Sequence, residues 1–458
     1  MRSARRVELA VVAAVLLAAA TCAVGAGGVV KEGAPAGPPA GKGLNPQIAG
    51  MPDNTWLRLN PAGEPRSRMY SGCCMGDGKL WFFGGGHGGY KYNDVELYDV
   101  SANRWDRLTE REAWTEVKAA EGMGGGWGVA VLSAKLRPLG QHTYQQVCWV
   151  PERKKFFAVL SPGTWEFDSA AREWECLAGM HAGKLAGKAG PLAPAKYEKV
   201  QLGRSAYGYN VTLWKTRDGR EVVQARPRDP AAWQTSDGKP VTDVGTFSPG
   251  FETGGGLVVY DAVLQKPLCF DGGDAEGRTL WAFDFKKMAW DELMHVPIPR
   301  SVRNYAASGL PDGFHLVTSG KDGWWLVNPG KRQVKPLENV PEPLKDRDCQ
   351  SLTYDTVNKV VLVLGRTEVG AEGKQKVYAL DVWTFDPAAE KFTQVPAPAG
   401  PRPRSSGPIA RWATFWYDPT HNAGIFLGQL GQGGHEGQPC ETWAYRLKRA
   451  KEAGQAVP

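Results

Sequence analysis

Apolar and polar residues alternate along much of the chain, in short stretches separated by turn-forming residues. In residues 281–293 (WAFDFKKMAWDEL), Trp281, Phe283 and Phe285 occupy every second position. This period of two is typical of a half-buried β-strand. After a short break, a second apolar stretch begins at Trp290. The pattern therefore predicts two neighbouring strands joined by a turn.

The interval of seven residues between Phe283 and Trp290 recurs along the chain. The same interval separates Tyr98 from Trp105, Phe167 from Trp174, Val327 from Val334, and Phe385 from Phe392. A Trp stands two residues before the first member at Trp165, Trp281, Trp325 and Trp383, and before Tyr445 at Trp443. A spacing that repeats on this scale indicates one supersecondary unit used many times.

Each unit reads as four strands, and seven units can be recognised. Unit 1, for example, contains MYSGCCM, KLWFFGG, DVELYDV and RWDRL. Unit 3 is the weakest, with SAYGYNVTLW, REVVQA, AAWQTS and PVTDV; it is counted because RSAYG at Arg204 resembles RSRMYSG at Arg66. We therefore expect an all-β, seven-bladed β-propeller. If unit 3 is an insertion, the alternative is a six-bladed ring.

The first strand after the N-terminal region predicts how the ring closes. Residues 54–59 (NTWLRL) resemble residues 103–108 (NRWDRL), which form the last strand of unit 1. The final unit ends at ETWAYRLKR with no such strand after it. We expect the N-terminal strand to complete the last sheet, which would remove the open edges of the array.

The repeated motif resembles the Kelch repeat and, more broadly, the central-domain propellers of galactose oxidases. The matching residues are Gly84, Gly85, Tyr98 and Trp105 in unit 1, and Gly272, Gly273, Phe283 and Trp290 in unit 4. Units 5 to 7 keep Gly320, Gly365, and the pair Gly433 and Gly434. The resemblance covers residues 54–447 and implies a Kelch-type propeller fold. It does not specify a function, because propellers include both enzymes and binding modules.

Composition divides the chain into four regions. Arg2, Arg5 and Arg6 precede an apolar stretch that ends before a small-residue site at residues 23–25, as in a secretory signal peptide. A retained membrane anchor is the alternative. We predict a signal peptide at 1–25, a flexible Gly/Pro-rich linker at 26–53, the propeller at 54–447 and a disordered tail at 448–458. This organisation predicts a secreted or periplasmic protein.

Charge and cysteine content limit the possible partners. The net charge is +7 for 458 residues, and no basic run is long enough to indicate nucleic-acid binding. Removal of residues 1–25 leaves an odd number of cysteines: Cys73, Cys74, Cys148, Cys176, Cys269, Cys349 and Cys440. Most lie in apolar strand patterns, where we expect buried, unreactive thiols.

Two glycine-rich loops contain histidines that ring closure would bring near each other. His87 with Tyr90 and Asn93 follows the second strand of unit 1, and His435 with Glu436 follows the second strand of unit 7. Such groups could act as acid and base or bind a divalent metal; alternatively, the glycines shape tight loops with solvated tips. The resemblance would imply a copper site with an adjacent Tyr-His pair, but no His here follows a Tyr. We predict no metal and no cofactor.

A second candidate site lies at the starts of the inner strands, around the mouth of the central channel. Basic and aromatic residues recur there: Arg68, Tyr70, His142, Tyr144, Arg204, Arg303, Tyr305, Arg347, and Arg404 or Arg411. Arginines bind carboxylates in a bidentate manner, and tyrosines stack on sugars or peptides. The alternative is that each Arg pairs with a nearby acidic residue and only fixes its turn.

These observations favour a binding module that holds an anionic saccharide or a peptide segment on its loop face. One alternative is a carbohydrate-active enzyme, an isomerase, lyase or hydrolase, that uses His87, His435 or His142 as acid and base. A structural envelope protein is a further alternative. We expect a monomer without nucleic-acid partners, and no membrane contact beyond the cleaved signal.

Overall fold

The structure is a computed structural model that describes most of the strands of the chain. The described residues are 43–63, 71–85, 93–110, 138, 143–160, 163–179, 212–215, 221–224, 233–234, 257–271, 277–298, 306–318, 323–345, 351–372, 375–397, 400–405, 414–429 and 440–448. Within them the fold is almost entirely antiparallel β-sheet. The helical residues within the described ranges are one short helix, α1 (Pro46–Ala49), and a single 3-10 turn at Glu342–Lys345.

Six antiparallel sheets form the blades of a ring. Blade I contains β2 (Gly72–Gly76), β3 (Lys79–Phe83), β4 (Glu96–Asp99) and β5 (Arg104–Arg107). Blade II contains β6 (Val147–Val150), β7 (Lys155–Leu160), β8 (Gly163–Asp168) and β9 (Glu173–Gly179). Blade III contains β13 (Leu257–Asp261), β14 (Lys266–Asp271), β15 (Arg278–Asp284) and β16 (Ala289–Val296).

The other three blades follow the same order from inner to outer strand. Blade IV contains β17 (Ala306–Gly309), β18 (His315–Thr318), β19 (Trp324–Asn328) and β20 (Gln333–Pro336). Blade V contains β21 (Ser351–Asp355), β22 (Val360–Glu372), β23 (Gln375–Asp386) and β24 (Lys391–Gln394), with β25 (Arg404–Ser405) added beside β23. Blade VI contains β26 (Phe415–Asp418), β27 (Ala423–Gln429), β28 (Cys440–Arg446) and the N-terminal β1 (Thr55–Arg58).

The seven-residue interval corresponds to cross-strand pairs between the third and fourth strands of a blade. Tyr98 pairs with Trp105, and Phe283 pairs with Trp290. A four-residue turn between two antiparallel strands places residues seven apart opposite each other, which is why the interval is constant. The ring centroids of these two pairs are 5.3 and 5.2 Å apart. Each pair covers the neighbouring sheet with a large buried aromatic surface.

The contact between blades II and III sets the number of blades. Trp290 Nε1 of blade III donates a hydrogen bond to Thr164 Oγ1 of blade II at 2.7 Å. Trp105 makes the same bond from blade I to Thr442 of blade VI, at 2.9 Å. The inner strands β2, β6, β13, β17, β21 and β26 contact one another in turn, and β26 contacts β2 again. The ring therefore has six blades: the six-bladed alternative is confirmed and the preferred seven-bladed count is wrong.

Unit 3 of the sequence is the reason for the difference. It forms a separate three-stranded sheet of β10 (Thr212–Lys215), β11 (Glu221–Gln224) and β12 (Trp233–Gln234). The apolar surface of blade II is instead covered by blade III, where Phe157 and Val159 share one core cluster with Val258 and Phe283. Because apolar burial drives this association, blade III takes the place beside blade II that the seven-bladed prediction gave to unit 3.

The N-terminal strand closes the ring as the sequence predicts. Strand β1 is antiparallel to β28, with Trp56 opposite Tyr445 and Arg58 opposite Trp443. The Trp56 and Tyr445 rings lie 5.0 Å apart, so β1 supplies the outer aromatic residue that blade VI otherwise lacks. Residues 43–53, which composition assigns to the linker, also pack on the ring, and Ile48 is fully buried.

Candidate functional site

The two faces of the ring differ in the length of their connections. On one face, termed here the turn face, the first strand of each blade turns into the second and, in blades I to V, the third into the fourth. Most of these turns have four residues, such as 169–172, 285–288 and 387–390. The opposite face, termed here the loop face, has connections that run over residues 108–146 and 180–256. Long connections concentrated on one side of a rigid scaffold are typical of a binding surface.

The turn face is built from a repeated hydrogen-bond pattern. At the end of β13, Asp261 Oδ1 accepts the backbone N–H groups of Val263 and Leu264 at 2.9 and 2.8 Å. Asp168, Asp284, Asp355 and Asp386 cap their turns in the same way. The residue four positions after each Asp has a positive φ of 48° to 57°. Such turns are short and fully bonded, and they give this face little freedom to adapt to a ligand.

Most of the predicted site residues lie outside the described residues. These are His87, Tyr90, His435, Glu436, Arg68, Tyr70, His142, Arg204, Arg303, Tyr305, Arg347 and Arg411. Blades VI and I are neighbours through β26 and β2. The prediction for the two histidine loops requires that these two blades be adjacent. The structure does describe Asn93 and Tyr144, and the alternative residue Arg404, whose side chain is exposed on β25.

Tyr144 lies directly before the inner strand of blade II, in close contact with the inner strand of blade I. It has a positive φ of 45° and a half-buried side chain. A Cβ atom on Gly72 of β2 would lie only 2.4 Å from the Tyr144 carbonyl oxygen. Glycine is therefore required at position 72 for this contact, and the backbone of Tyr144 is fixed at the channel mouth.

Gln145 joins three blades beside the channel. Its carbonyl accepts the N–H of Val258 in blade III at 2.6 Å. Its side chain passes on to blade IV, where Nε2 donates to the Ala307 carbonyl at 2.8 Å and Oε1 accepts the Ala307 N–H at 3.0 Å. The side chain is 2 % exposed. Sequence reasoning did not single out Gln145; the available signal was the polar pair Gln145–Gln146 directly before a buried strand.

Asn93 is completely buried at the loop-face end of β4, next to two buried carboxylates. Arg107 Nε lies 3.6 Å from Asp94 Oδ2 and 3.9 Å from Glu96 Oε1. The backbone N–H of Val95 donates to Thr109 Oγ1 at 2.9 Å. These contacts place a half-exposed cation over two acidic groups. They anchor the C-terminal end of the predicted His87 loop to blade I.

Blade V extends beyond the other blades on the loop face. Strands β22 and β23 continue pairing as far as Glu372 and Gln375, with a bulge between Glu368 and Gly370. The extension is fastened by Arg402, whose Nη1 lies 2.6 Å from Asp381 Oδ1; Thr367 Oγ1 donates to the other oxygen of the same carboxylate. The Arg366 guanidinium lies 4.1 Å from the centroid of the Tyr378 ring. The result is a rigid, polar projection above the ring.

Five of the cysteines in the described ranges have buried or half-buried side chains. Cys73, Cys74, Cys148 and Cys269 are buried thiols, and Cys440 is a half-buried one. Burial raises the pKa of Cys73, Cys74 and Cys148 above the ordinary thiol range. Because the thiolate is the reactive form, these three cysteines are unreactive, as the apolar patterns predict.

The described residues contain neither a metal-binding cluster of side chains nor a helix that could span a membrane. No group of three or more His, Cys, Asp or Glu side chains among them could hold a metal ion. None of the helices in the described ranges is long and apolar enough to cross a membrane.

A family-model match in blade I supports the propeller fold. Residues 67–111, which span most of blade I, match the family model for the Kelch motif. A solved structure described as "Structure of YjhT" is similar over 84 % of this chain and 95 % of that chain, at 11 % identity and a TM-score of 0.40. No curated protein matches the chain. Blade I therefore carries a Kelch motif, and this blade belongs to a six-bladed β-propeller.

Proposed function

We propose that this propeller is a secreted or periplasmic binding module that holds a protein segment or an anionic saccharide on its loop face. The Kelch-type propeller fold supports a binding or protein-interaction module in general. The observation that carries the proposal further is the contrast between the faces. The turn face is closed by short capped turns, whereas the loop face combines the long connections, the blade V extension and the channel mouth.

The proposal assigns the recognition chemistry to the residues around the channel mouth. Tyr144 and the Gln145 bridge form a fixed base, since both are held by backbone contacts between blades. Arg68, Arg303, Arg347 and Arg411 supply the positive charge, and Tyr70 and Tyr305 supply stacking surfaces. Arginine forks match carboxylates and sulfates geometrically, which favours an acidic ligand. Asn93 is buried, so its proposed role is to hold the His87 loop.

The first described residues of the chain lie on the turn face. Asn45 bonds to Val100 and His421, both at turns of the turn face, so the chain enters the ring on the side opposite the loops. In the proposal, residues 1–25 are a signal peptide and the mature protein is a monomer. N-terminal sequencing of the protein purified from its producing cell would test the first point, with a start after residue 25 as the expected result.

Binding can be tested with probes that differ in charge and class. The purified mature protein would be titrated with uronic-acid oligosaccharides, with their neutral methyl esters, and with acidic and basic peptides. We expect saturable binding of one acidic class and no binding of the neutral esters. R68Q and R303Q should each weaken that binding by about tenfold, as expected when one charge-assisted pair is lost.

The matched control is R332Q, because Arg332 is exposed on the turn face and contacts the Leu293 carbonyl. This variant should bind like the wild type. Binding that is lost in R332Q but retained in R68Q and R303Q would contradict the proposal. Mass spectrometry would detect chemical conversion of the saccharide. If conversion occurs and is abolished by H87Q or H435Q, the protein is instead a carbohydrate-active enzyme.

A further inference from the structure

The first described residues of the chain form a clasp across the seam between blades VI and I. The clasp comprises residues 43–53 and includes α1, with Ile48 and Met51 buried at 0 and 5 % exposure. Arg446 of β28 donates from Nη2 to the Ile48 carbonyl at 2.7 Å and from Nη1 to the Met51 carbonyl at 2.9 Å. The clasp therefore lies on both of the blades that meet where the ring closes.

A buried histidine holds the start of the clasp. The backbone N–H of Asn45 donates to His421 Nε2 at 2.9 Å, and Asn45 Nδ2 donates to the Val100 carbonyl at 2.9 Å. On the other side of the imidazole, Nδ1 lies 2.5 Å from Asp418 Oδ2. Asn45, Asp418 and His421 are at most 4 % exposed. No water is needed to satisfy either ring nitrogen.

These contacts determine the proton position on the imidazole. A backbone N–H can only donate, so Nε2 of His421 must carry the lone pair and cannot carry a proton. The proton therefore lies on Nδ1, where it is donated to the Asp418 carboxylate. His421 is held as the neutral Nδ1–H form. Its second protonation would place an N–H group 2.9 Å from the N–H of Asn45, where both groups donate and neither can accept.

The charges around His421 differ on the two sides of its ring. Among the described residues, Asp418 stabilises an imidazolium, whereas Arg446 donates to the His421 carbonyl at 3.3 Å and adds a second positive charge on the clasp side. Tyr98 of blade I lies close to Asn45 and Asp418, and burial keeps its phenol neutral by raising its pKa. A ring that is protonated at Nε2 thus keeps the hydrogen bond from Nδ1 to Asp418 but loses the hydrogen bond from the Asn45 N–H.

We propose that His421 is a pH-sensitive latch: its protonation releases residues 43–53 from the seam, while β1 stays paired with β28. The two parts separate because they are held differently. The pairing of β1 with β28 uses backbone bonds and the buried ring of Trp56, and none of these bonds involves a group that titrates between pH 5 and 8. The clasp, in contrast, begins at an N–H whose acceptor is an imidazole.

Hydrogen exchange of the full mature protein tests this latch. Peptides covering residues 43–53 and residues 72–83 would be followed by mass spectrometry at about pH 7.5 and about pH 5, which bracket the ordinary titration range of histidine. After correction for intrinsic exchange rates, protection of the clasp should fall about tenfold or more at the lower pH, the effect of losing one buried hydrogen bond. Blade I should keep its protection.

The variant H421Q retains an uncharged side-chain oxygen as acceptor but cannot titrate, so its clasp should lose the pH step. H315Q is the matched control, because His315 forms the other buried His–Asp pair, with Asp261 at 2.9 Å, in the seam of blades III and IV. It should keep the step. Equal clasp protection of the wild type at both pH values, or an unchanged step in H421Q, would overturn the proposal.

If H421Q does not fold, the ring of His421 in the wild type still gives an answer. Its nitrogen-15 NMR shifts should report a protonated Nδ1 and an unprotonated Nε2 at about pH 7.5. The opposite tautomer at that pH, or a ring that stays neutral well below pH 5, would also overturn the latch.

Discussion

The side-chain amide of Gln145 pairs with the backbone of Ala307 as a second strand would, although the two residues lie two blades apart in the ring. One bond is donated by Gln145 Nε2 at 2.8 Å and one is accepted by its Oε1 at 3.0 Å. The N–H and C=O of Ala307, on an inner strand, thereby both form hydrogen bonds with a side chain. This bridge stiffens the ring next to the proposed binding surface.

The bridge predicts a large difference between two adjacent glutamines. Q145M should lower the free energy of unfolding by about 2–3 kcal/mol, because it leaves the N–H and C=O of Ala307 buried and unpaired. Q146M should have a smaller effect, since Nε2 of Gln146 is buried without a hydrogen-bond partner. Urea denaturation of both variants measures the difference. Equal losses would show that the bridge adds nothing specific.

The ion pair between Arg402 and Asp381 should stabilise the blade V extension without affecting the rest of the blade. R402M should destabilise the extension by about 3 kcal/mol, because the Asp381 carboxylate would remain buried with its charge uncompensated. The expected readout is faster hydrogen exchange in residues 366–380, with the lower blade unchanged. K376M is the control: Lys376 and Glu368 form an exposed pair, with side chains 63 and 46 % accessible, and its loss should cost at most about 1 kcal/mol.

The closing strand predicts a strong effect of one tryptophan. Trp56 is 4 % exposed and lies 6.0 Å from both Phe415 and Phe426 of blade VI. W56A should lower the free energy of unfolding by about 3–5 kcal/mol, as for other buried aromatic truncations. L44A, at a residue that is 56 % exposed, should change it by less than about 0.5 kcal/mol. A thermal shift as small for W56A as for L44A would contradict the role of β1 in closure.

Two turn-face aspartates predict a loss of stability in acid. The hydrogen bond from Lys266 is the main cause that lowers the pKa of Asp284 to about 2. Burial opposes it as the second-largest effect, and the N–H groups of Lys287 and Lys286 lower the pKa further. The bond from Lys155 likewise lowers the pKa of Asp168 to about 2. A carboxyl whose pKa is lower in the folded state stabilises that state above its ordinary range near 4.

That contribution is therefore present at pH 5 and is lost as the pH falls from about 4 to about 2. Both pairs are near solvent, so screening limits the loss to roughly 1 kcal/mol for each carboxylate. D284N should remove its share of the acid dependence when denaturation is measured at about pH 4.5 and about pH 2.5. A D284N curve parallel to the wild-type curve would rule out this contribution.

The periodic pattern by itself determined the blade. Residues seven apart such as Phe385 and Phe392 are cross-strand partners, because alternation and a four-residue turn are local properties that a short stretch of sequence specifies. The same logic predicted that the strand containing Trp56 completes the last sheet, where the structure pairs Trp56 with Tyr445. Residues 54–59 resemble the last strand of a unit but precede the first unit, so they are expected to complete the unit that lacks its last strand.

Only the tertiary structure decided how many blades close the ring and where the polar bridges form. Unit 3 has strand patterns, but the apolar surface of Phe157 is already covered by Phe283, and such competition between distant segments leaves no local trace. The bond of Gln145 to Ala307 and that of Asn45 to His421 also join residues far apart in the chain. Their partners depend on which surfaces meet, and periodicity specifies the units without specifying those surfaces.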